Sequence, residues 1–275
     1  MRVREALPAA ATRLAAVSDT ARLDAELLMA HALGVERETL LLHRLDGEAP
    51  AGFEPLVERR LAHEPVAYIT GRRAFWTIEL EVGPGVLIPR PDSETLIEAA
   101  IARFGPEGPA TILDLGTGPG TLLLAALDQW PNAVGMGVDV LPKALAYARR
   151  NAERLGLADR ARIVSGDWGE GLNECFDLIL CNPPYVETRT PLMAEVAKWE
   201  PALALYAGDD GLNAYVWLAP ELGKWLAPGG TACIEIGAGQ EKAVSALFAA
   251  QGFAIESRSD LGGIIRCLVL TLDRL

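Results

Sequence analysis

The sequence predicts an α/β fold, a mostly parallel sheet whose strands are joined by helices, preceded by a small helical domain. From Thr111 onward, short apolar strand-like runs alternate with helical patterns. The first strand-to-helix turn is rich in glycine. Residues 2–64 carry helical periodicity only.

The helical part reads as four helices. Val3, Leu7, Leu14 and Val17 mark one apolar face. Ser18-Asp19 offers an N-cap for a second helix bearing Leu23, Leu27, Leu28, Ala30 and Leu33, which Gly34 ends. A third run, Thr39 to Leu45, stops before Gly47 and Pro50. A fourth carries Leu56, Val57 and Leu61 and ends before Pro65. Residues 1–67 are therefore expected to form one small domain, marginal alone by size. Residues 68–91 change character. Phe75 to Val82 partly alternates, Gly83-Pro84-Gly85 turns, and Val86-Leu87-Ile88 returns, which predicts a linking β-hairpin. Residues 92–275 make the main domain. Its strand candidates are Thr111–Leu115, Ala133–Val138, Arg162–Ser165, Phe176–Cys181, Thr231–Ile236, Phe253–Ser257 and Ile264–Leu272. Helical patterns separate the first six. Only Asp260 to Gly263 separates the last two, so they should close the sheet as an antiparallel hairpin.

Composition narrows the function classes. The net charge is −12, and residues 91–275 contribute most of it, with 14 Lys+Arg against 24 Asp+Glu. Proteins that grip a nucleic-acid backbone carry a basic face, because phosphate neutralisation dominates their affinity; no nucleic-acid partner is expected here. Cys175, Cys181, Cys233 and Cys267 form no CxxC pair, and the three histidines show no ligand spacing, so no metal is expected. Charges interrupt the N-terminal apolar stretch, and no uncharged apolar run approaches the roughly 18 residues of a membrane span. A cytoplasmic monomer without membrane contact is the expectation.

The glycine-rich turn reads Asp114-Leu115-Gly116-Thr117-Gly118-Pro119-Gly120. Glycines let a backbone approach a ligand closely at a helix N-terminus; a tight turn alone would explain them equally well. Asp139 ends the next strand, where a carboxylate can hold ribose hydroxyls. A dinucleotide site wants G-x-G-x-x-G, whereas the spacing here is G-x-G-x-G, and Asp114 would repel a pyrophosphate. S-adenosylmethionine has a sulfonium and an ammonium and no phosphate, so anionic neighbours favour it over NAD. Asp167-Trp168 follows the third strand: Trp168 can cover an adenine and Asp167 can accept from its amine, or Trp168 is simply packed in its loop.

Asn182-Pro183-Pro184-Tyr185 follows the fourth strand. N-P and P-P pairs often mark plain turns. In register with the glycine turn and Asp139, however, the tetrapeptide points to a planar NH2 substrate. A delocalised nitrogen is a poor nucleophile. Attack on a methyl sulfonium needs charge to develop on it, which the Asn182 oxygen and the Pro183 carbonyl can favour by accepting its two N–H groups. Tyr185 can stack on the planar group. No strong general base is evident in the sequence.

Asp114 to Gly120, Asp139 and Asn182 to Tyr185 resemble the S-adenosylmethionine-dependent methyltransferases that modify amide or amine nitrogen. Tyr68 to Trp76, Leu87 to Pro91, Trp199 to Leu205 and Asp209 to Leu212 resemble the release factor glutamine methyltransferases, a likeness spanning about residues 65 to 270. The resemblance implies a Rossmann-like seven-stranded sheet with an antiparallel seventh strand. It implies S-adenosylmethionine as methyl donor, with S-adenosylhomocysteine as product. It also implies methylation of the N5 amide of the glutamine in the Gly-Gly-Gln motif of peptide chain release factors. Pro119 and Tyr206-Ala207-Gly208 depart from the family's usual residues. A sister branch acts on a ribosomal protein glutamine; Arg90-Pro91-Asp92-Ser93-Glu94 looks more like the release factor branch. An adenine-N6 methyltransferase acting on nucleic acid is another alternative, which the acidic balance opposes, and a non-enzymatic nucleoside-binding or scaffold protein is a third, which leaves Asn182 to Tyr185 unexplained. The helical domain is expected to dock the protein substrate, with Arg59, Arg60, Arg72 and Arg73 as candidate contacts.

Overall fold

The computed structural model describes residues 1–272. Helices α1 (Val3–Leu14), α2 (Ala21–Leu33), α3 (Arg37–His43), α4 (Phe53–Leu61) and α5 (Val66–Thr70) come first. A two-stranded hairpin of β1 (Arg72–Phe75) and β2 (Ile78–Glu81) follows, then α6 (Glu94–Phe104). The alternating part runs β3 (Thr111–Leu115), α7 (Thr121–Gln129), β4 (Val134–Asp139), α8 (Pro142–Arg154), β5 (Ala161–Ser165), β6 (Phe176–Cys181) and α9 (Ala194–Trp199). It ends with α10 (Asn213–Leu222), β7 (Leu226–Glu235), α11 (Glu241–Ala249), β8 (Phe253–Ser259) and β9 (Ile265–Leu272).

The chain forms two compact units, Met1–Arg72 with Leu192–Glu200, and Arg73–Pro191 with Pro201–Leu275. The boundary drawn at residue 67 thus falls inside α5, a helix the periodicity did not reveal because it spans little more than one turn. Residues 192–200, read as part of the main domain, belong with the helical unit.

In the helical unit Val3, Leu7, Leu14, Leu28, Met29, Leu40, Phe53, Val57 and Ile69 pack into one core. Gly34 caps α2 with φ of 65°, and the Val35 N–H returns to the Ala30 carbonyl at 3.1 Å, the bond of a left-handed C-cap. The buried face of α2 is not the one expected. Leu23 is exposed, whereas Asp24 and Glu26 are buried. Arginines reverse the pattern. Arg60, 4 % exposed, donates Nε to Asp24 at 2.7 Å and Nη2 to Glu195 of α9 at 2.7 Å, and Arg37 reaches Glu26 at 2.8 Å. Arg60 is therefore an internal tie and not a docking residue. Arg59 is also engaged, forked onto Glu64 at 2.8 and 2.6 Å.

In the larger unit seven strands lie in the order β5-β4-β3-β6-β7-β9-β8. β3 pairs in parallel with β4 and β6, and β9 runs antiparallel between β7 and β8. Strand β7 starts at Leu226, earlier than expected, because it pairs with β6 on both sides of a register shift that takes in Pro228-Gly229-Gly230. A Cβ on Gly230 would lie 3.0 Å from the Phe176 and Asp177 carbonyls, so only glycine lets β6 and β7 stay paired there. The hairpin also differs: its turn is Trp76-Thr77, with Trp76 at φ of 53°, and Val86 to Ile88 form no strand. Trp76 holds that turn without glycine because its N–H bonds Glu94 at 2.9 Å and its indole bonds Gln129 at 3.3 Å. No helix among the described residues is long and apolar enough to cross a membrane.

Removing one partner of a buried ion pair leaves the other charge unpaired. Arg60→Ala is expected to destabilise the helical unit by about 3–5 kcal/mol in denaturant unfolding. A loss below about 1 kcal/mol, the size of an exposed pair, would contradict this placement.

Candidate active site

Four parallel strand ends of the larger unit open onto one cavity of about 380 Å3. They flank the point where the strand order reverses, with β3 between β4 and β6, which is where open α/β sheets bind ligands. Asp114, Gly116, Thr117, Gly118 and Pro119 line the cavity after β3, Asp139 after β4, Asp167 and Trp168 after β5, and Asn182 and Pro184 after β6. Gly120 lies behind this wall as the residue preceding α7. Its φ is 91°, and a Cβ there would meet Leu124 at 2.6 Å.

The two carboxylates shape the loop before they meet any ligand. Asp114 is buried, and its Oδ2 accepts the Thr117 hydroxyl at 2.6 Å and the Leu123 N–H at 3.1 Å. Its Oδ1 is buried with no partner among the described residues. Burial pushes the Asp114 carboxyl up to about 7, outweighing the two hydrogen bonds, and also raises that of Asp139. Asp139 accepts the Gly118 N–H at 2.9 Å and the Leu141 N–H at 2.8 Å, one on each oxygen. A third support is Asn151, which the sequence reading missed. Its Nδ2 donates to the Pro119 carbonyl at 2.9 Å and the Glu81 carbonyl at 3.0 Å, and its Oδ1 accepts the Glu81 N–H at 2.7 Å. The available signal was a lone amide on the apolar stripe of α8, beside Ala144, Leu145, Ala148 and Ala152.

Trp168 sits between wall and packing. It lines the cavity, and it also stacks on Trp217 at 5.9 Å, which stacks on Trp225 at 6.2 Å. That packing holds its backbone at φ of 50°.

From the tetrapeptide the cavity wall takes Asn182 and Pro184, but not Pro183 or Tyr185. The Asn182 Nδ2 donates to Ser93 Oγ at 3.0 Å, so its oxygen is left as the acceptor at the wall. Pro183 is buried. Tyr185 turns its hydroxyl away from the cavity, onto Glu235 Oε1 at 3.2 Å. Gln240 braces the stretch, donating to the Tyr185 carbonyl at 3.1 Å and the Gly211 carbonyl at 3.3 Å. The Asp209-Asp210-Gly211-Leu212 run thereby abuts the tetrapeptide. Glu235 has no exposure, and burial pushes its carboxyl up to about 7. It too went unread, although a lone acid in the apolar strand Thr231–Ile236 was visible. Arg73 is half-buried and donates to the Pro89 carbonyl at 3.2 Å.

Asn151→Leu would orphan three backbone groups at once. It is expected to lower stability by at least about 1–3 kcal/mol, the penalty of one unsatisfied buried group, read as a shift in denaturant midpoint. An unchanged midpoint would contradict the role given to this amide.

A PrmC N-terminal domain model matches residues 5–71, and a methyltransferase domain model matches residues 107–250. A release factor glutamine methyltransferase of Cereibacter sphaeroides is 44% identical over 270 residues, covering 96% of each chain. One from Caulobacter vibrioides is 44% identical over 85% of this chain and 83% of its own, and one from Salmonella typhimurium is 38% identical over 90% of each. Among solved structures, a methyltransferase from Pyrococcus furiosus superposes with a TM-score of 0.54 at 21% identity, covering 78% of this chain and 95% of that one, which shows the shared fold. With the glycine loop, the two strand-end carboxylates and the asparagine held by Ser93 in one cavity, the chain belongs to the release factor glutamine methyltransferase family.

Proposed function

We propose that this protein transfers a methyl group from S-adenosylmethionine to the side-chain amide nitrogen of the glutamine in the Gly-Gly-Gln motif of class-1 peptide chain release factors. It acts as a monomer in the cytoplasm, and the helical unit docks the protein substrate, with Arg59 and Arg60 serving that unit's own ion pairs. The observation that carries the proposal is the Asn182 amide, fixed by its 3.0 Å bond to Ser93 so that a carbonyl-type oxygen faces the cavity. Such an oxygen matches an NH2 group and would clash electrostatically with a carbonyl or carboxylate.

The residues present fit the methyl donor. Asp114 presents a buried carboxylate with one unpartnered oxygen, which a cationic ligand relieves. Asp139 keeps lone pairs on both oxygens for ribose hydroxyls, Trp168 offers an aromatic face, and Asp167 offers an acceptor beside it. When bound, S-adenosylmethionine supplies an electrophilic methyl group.

The tetrapeptide supplies the other half of the chemistry. Asn182 Oδ1 accepts one N–H of the glutamine amide. The Pro183 carbonyl, in the peptide bond to the cavity-lining Pro184, accepts the other. Both acceptors sit on a stretch stiffened by two prolines, which favours stabilising positive charge on nitrogen with little reorganisation. As the new N–C bond forms and the sulfonium S–C bond breaks, the N–H groups become strongly acidic, and a proton leaves to water. The acidic balance of residues 91–275, 14 basic against 24 acidic, argues against a nucleic-acid acceptor.

Radiolabelled S-adenosylmethionine incubated separately with a release factor, a ribosomal protein and DNA is expected to label the release factor at its Gly-Gly-Gln glutamine. Label in DNA or ribosomal protein alone would overturn the proposal. Asn182→Ala is expected to lower methyl transfer about 100- to 1,000-fold, as losing one preorganised partner does in comparable sites, with S-adenosylmethionine affinity nearly unchanged. Turnover within a few-fold of wild type would remove Asn182 from the chemistry.

A pH dependence follows from Asp114. A cationic ligand favours its ionised form, so the carboxyl pKa in the complex falls below the value of about 7 in the free protein. Affinity is therefore fully present above pH 7 and is lost as pH falls through it. Calorimetry from pH 6 to 8.5 is expected to show weaker binding at the acid end, with Asp114→Asn flattening the profile. A flat wild-type profile would contradict the placement of the cation.

A further inference from the structure

The turn between β8 and β9 presents apolar side chains to solvent at the same end of the sheet as Asn182. Cys181, which precedes Asn182, lies beside Ile234 of β7. One residue further on, Glu235 lies beside Cys267 of β9, and Cys267 lies beside Arg258 of β8. Residues Asp260 to Ile264 therefore leave the sheet just beyond the level of Asn182. Neighbouring strands lie about 4.8 Å apart, which puts this turn roughly 10–15 Å along the rim from the end of β6. Leu261 at its tip is fully exposed, and Ile264 is exposed as well. Leu203, exposed at the cavity wall, carries the apolar rim inward.

One exposed leucine on a surface needs no explanation. A turn fastened so as to hold one in place does. The Asp260 N–H donates to the Ile264 carbonyl at 2.8 Å, and the Asp260 carbonyl accepts the Gly263 N–H at 3.0 Å. Its Oδ1 accepts the Ile264 N–H at 2.9 Å, and its Oδ2 accepts Arg266 Nε at 3.2 Å. From its other end Arg266 reaches Asp92 at 2.9 Å, in the Pro91–Ser93 turn whose Ser93 holds Asn182. The turn is thus closed on itself and braced to the segment that fixes the acceptor. Ordering a loop on binding costs entropy, and a turn already ordered avoids that cost.

A release factor glutamine enters the cavity across this rim. A stable protein interface covers about 800 Å2 on each partner, a patch wider than the roughly 10–15 Å between the end of β6 and the turn. We propose that the Asp260–Ile264 turn is a docking anchor for the release factor, with Leu261 buried against an apolar patch of the domain that carries the Gly-Gly-Gln loop. The proposal rests on the release factor being the substrate.

Leu261→Glu tests it at a position where no packing is lost. In steady-state kinetics on full-length release factor, KM is expected to rise about ten-fold, the loss of one good interface contact, with kcat and the S-adenosylmethionine Kd within about two-fold of wild type. Leu261→Ile, which keeps the apolar surface, should stay within about two-fold in KM. A five-residue Gly-Gly-Gln peptide extends about 17 Å, too little on either side of its centre to reach the turn, and should be turned over equally by wild type and Leu261→Glu. An unchanged KM on the full-length protein would overturn the proposal. So would a loss of kcat, of donor affinity or of peptide turnover to match the rise in KM, because the turn would then act on the site and not on the partner. Sedimentation identifies the rival occupant: a wild-type dimer that Leu261→Glu makes monomeric, with KM unchanged, assigns the turn to a second copy of this chain and overturns the proposal. Wild-type enzyme that leaves release factor unlabelled defeats the proposed function itself; wild-type labelling with Leu261→Glu unaffected defeats the docking role alone.

Discussion

An asparagine can present its oxygen to a substrate only when something else takes its NH2. In this protein that requirement falls on one hydrogen bond, from Asn182 Nδ2 to Ser93 Oγ. The two residues lie 89 positions apart in the chain. Asn182 is placed by the end of β6. Ser93 is placed by the short turn Pro91–Ser93 that opens α6. The seven-stranded sheet, which places the end of β6, and the turn at residues 91–93 hold this pair in register. Wherever they meet, they meet at the rim of a cavity already lined by the first three strand ends.

That cavity is built from groups with two duties. Asp114 and Asp139 each tie the glycine loop to the start of a helix with two hydrogen bonds, and in the proposed function their remaining lone pairs meet a ligand. Asn151 does the same work from α8 without facing the cavity itself. The balance is electrostatic. Buried carboxylates are tolerable because N–H and O–H donors surround them, and the shortfall that remains, an oxygen on Asp114 without a partner among the described residues, is what a cation would complete in the proposed function.

Much of this was legible in the sequence. The apolar runs at Thr111–Leu115 and Phe176–Cys181 coincide with β3 and β6 residue for residue, because buried parallel strands read as continuous hydrophobic stretches. The strand-end positions of Asp114, Asp139, Trp168 and Asn182 followed from that register, and the cavity brings all four together. What was hidden depends on long-range pairing. Arg60 and Asp24 read as solvated charges until α2 and α4 meet. The Trp76-Thr77 turn has no glycine to announce it and is held by Glu94 and Gln129. Tyr185 looked like a stacking surface, and only the fold shows its hydroxyl committed to Glu235.

The most direct test of the central claim is a crystal structure with S-adenosylhomocysteine and a Gly-Gly-Gln peptide bound. The glutamine amide nitrogen should lie about 3 Å from Asn182 Oδ1, with Asn182 Nδ2 still on Ser93. A glutamine whose carbonyl oxygen faced Asn182, or whose nitrogen contacted other groups while Asn182 stood apart, would contradict the account.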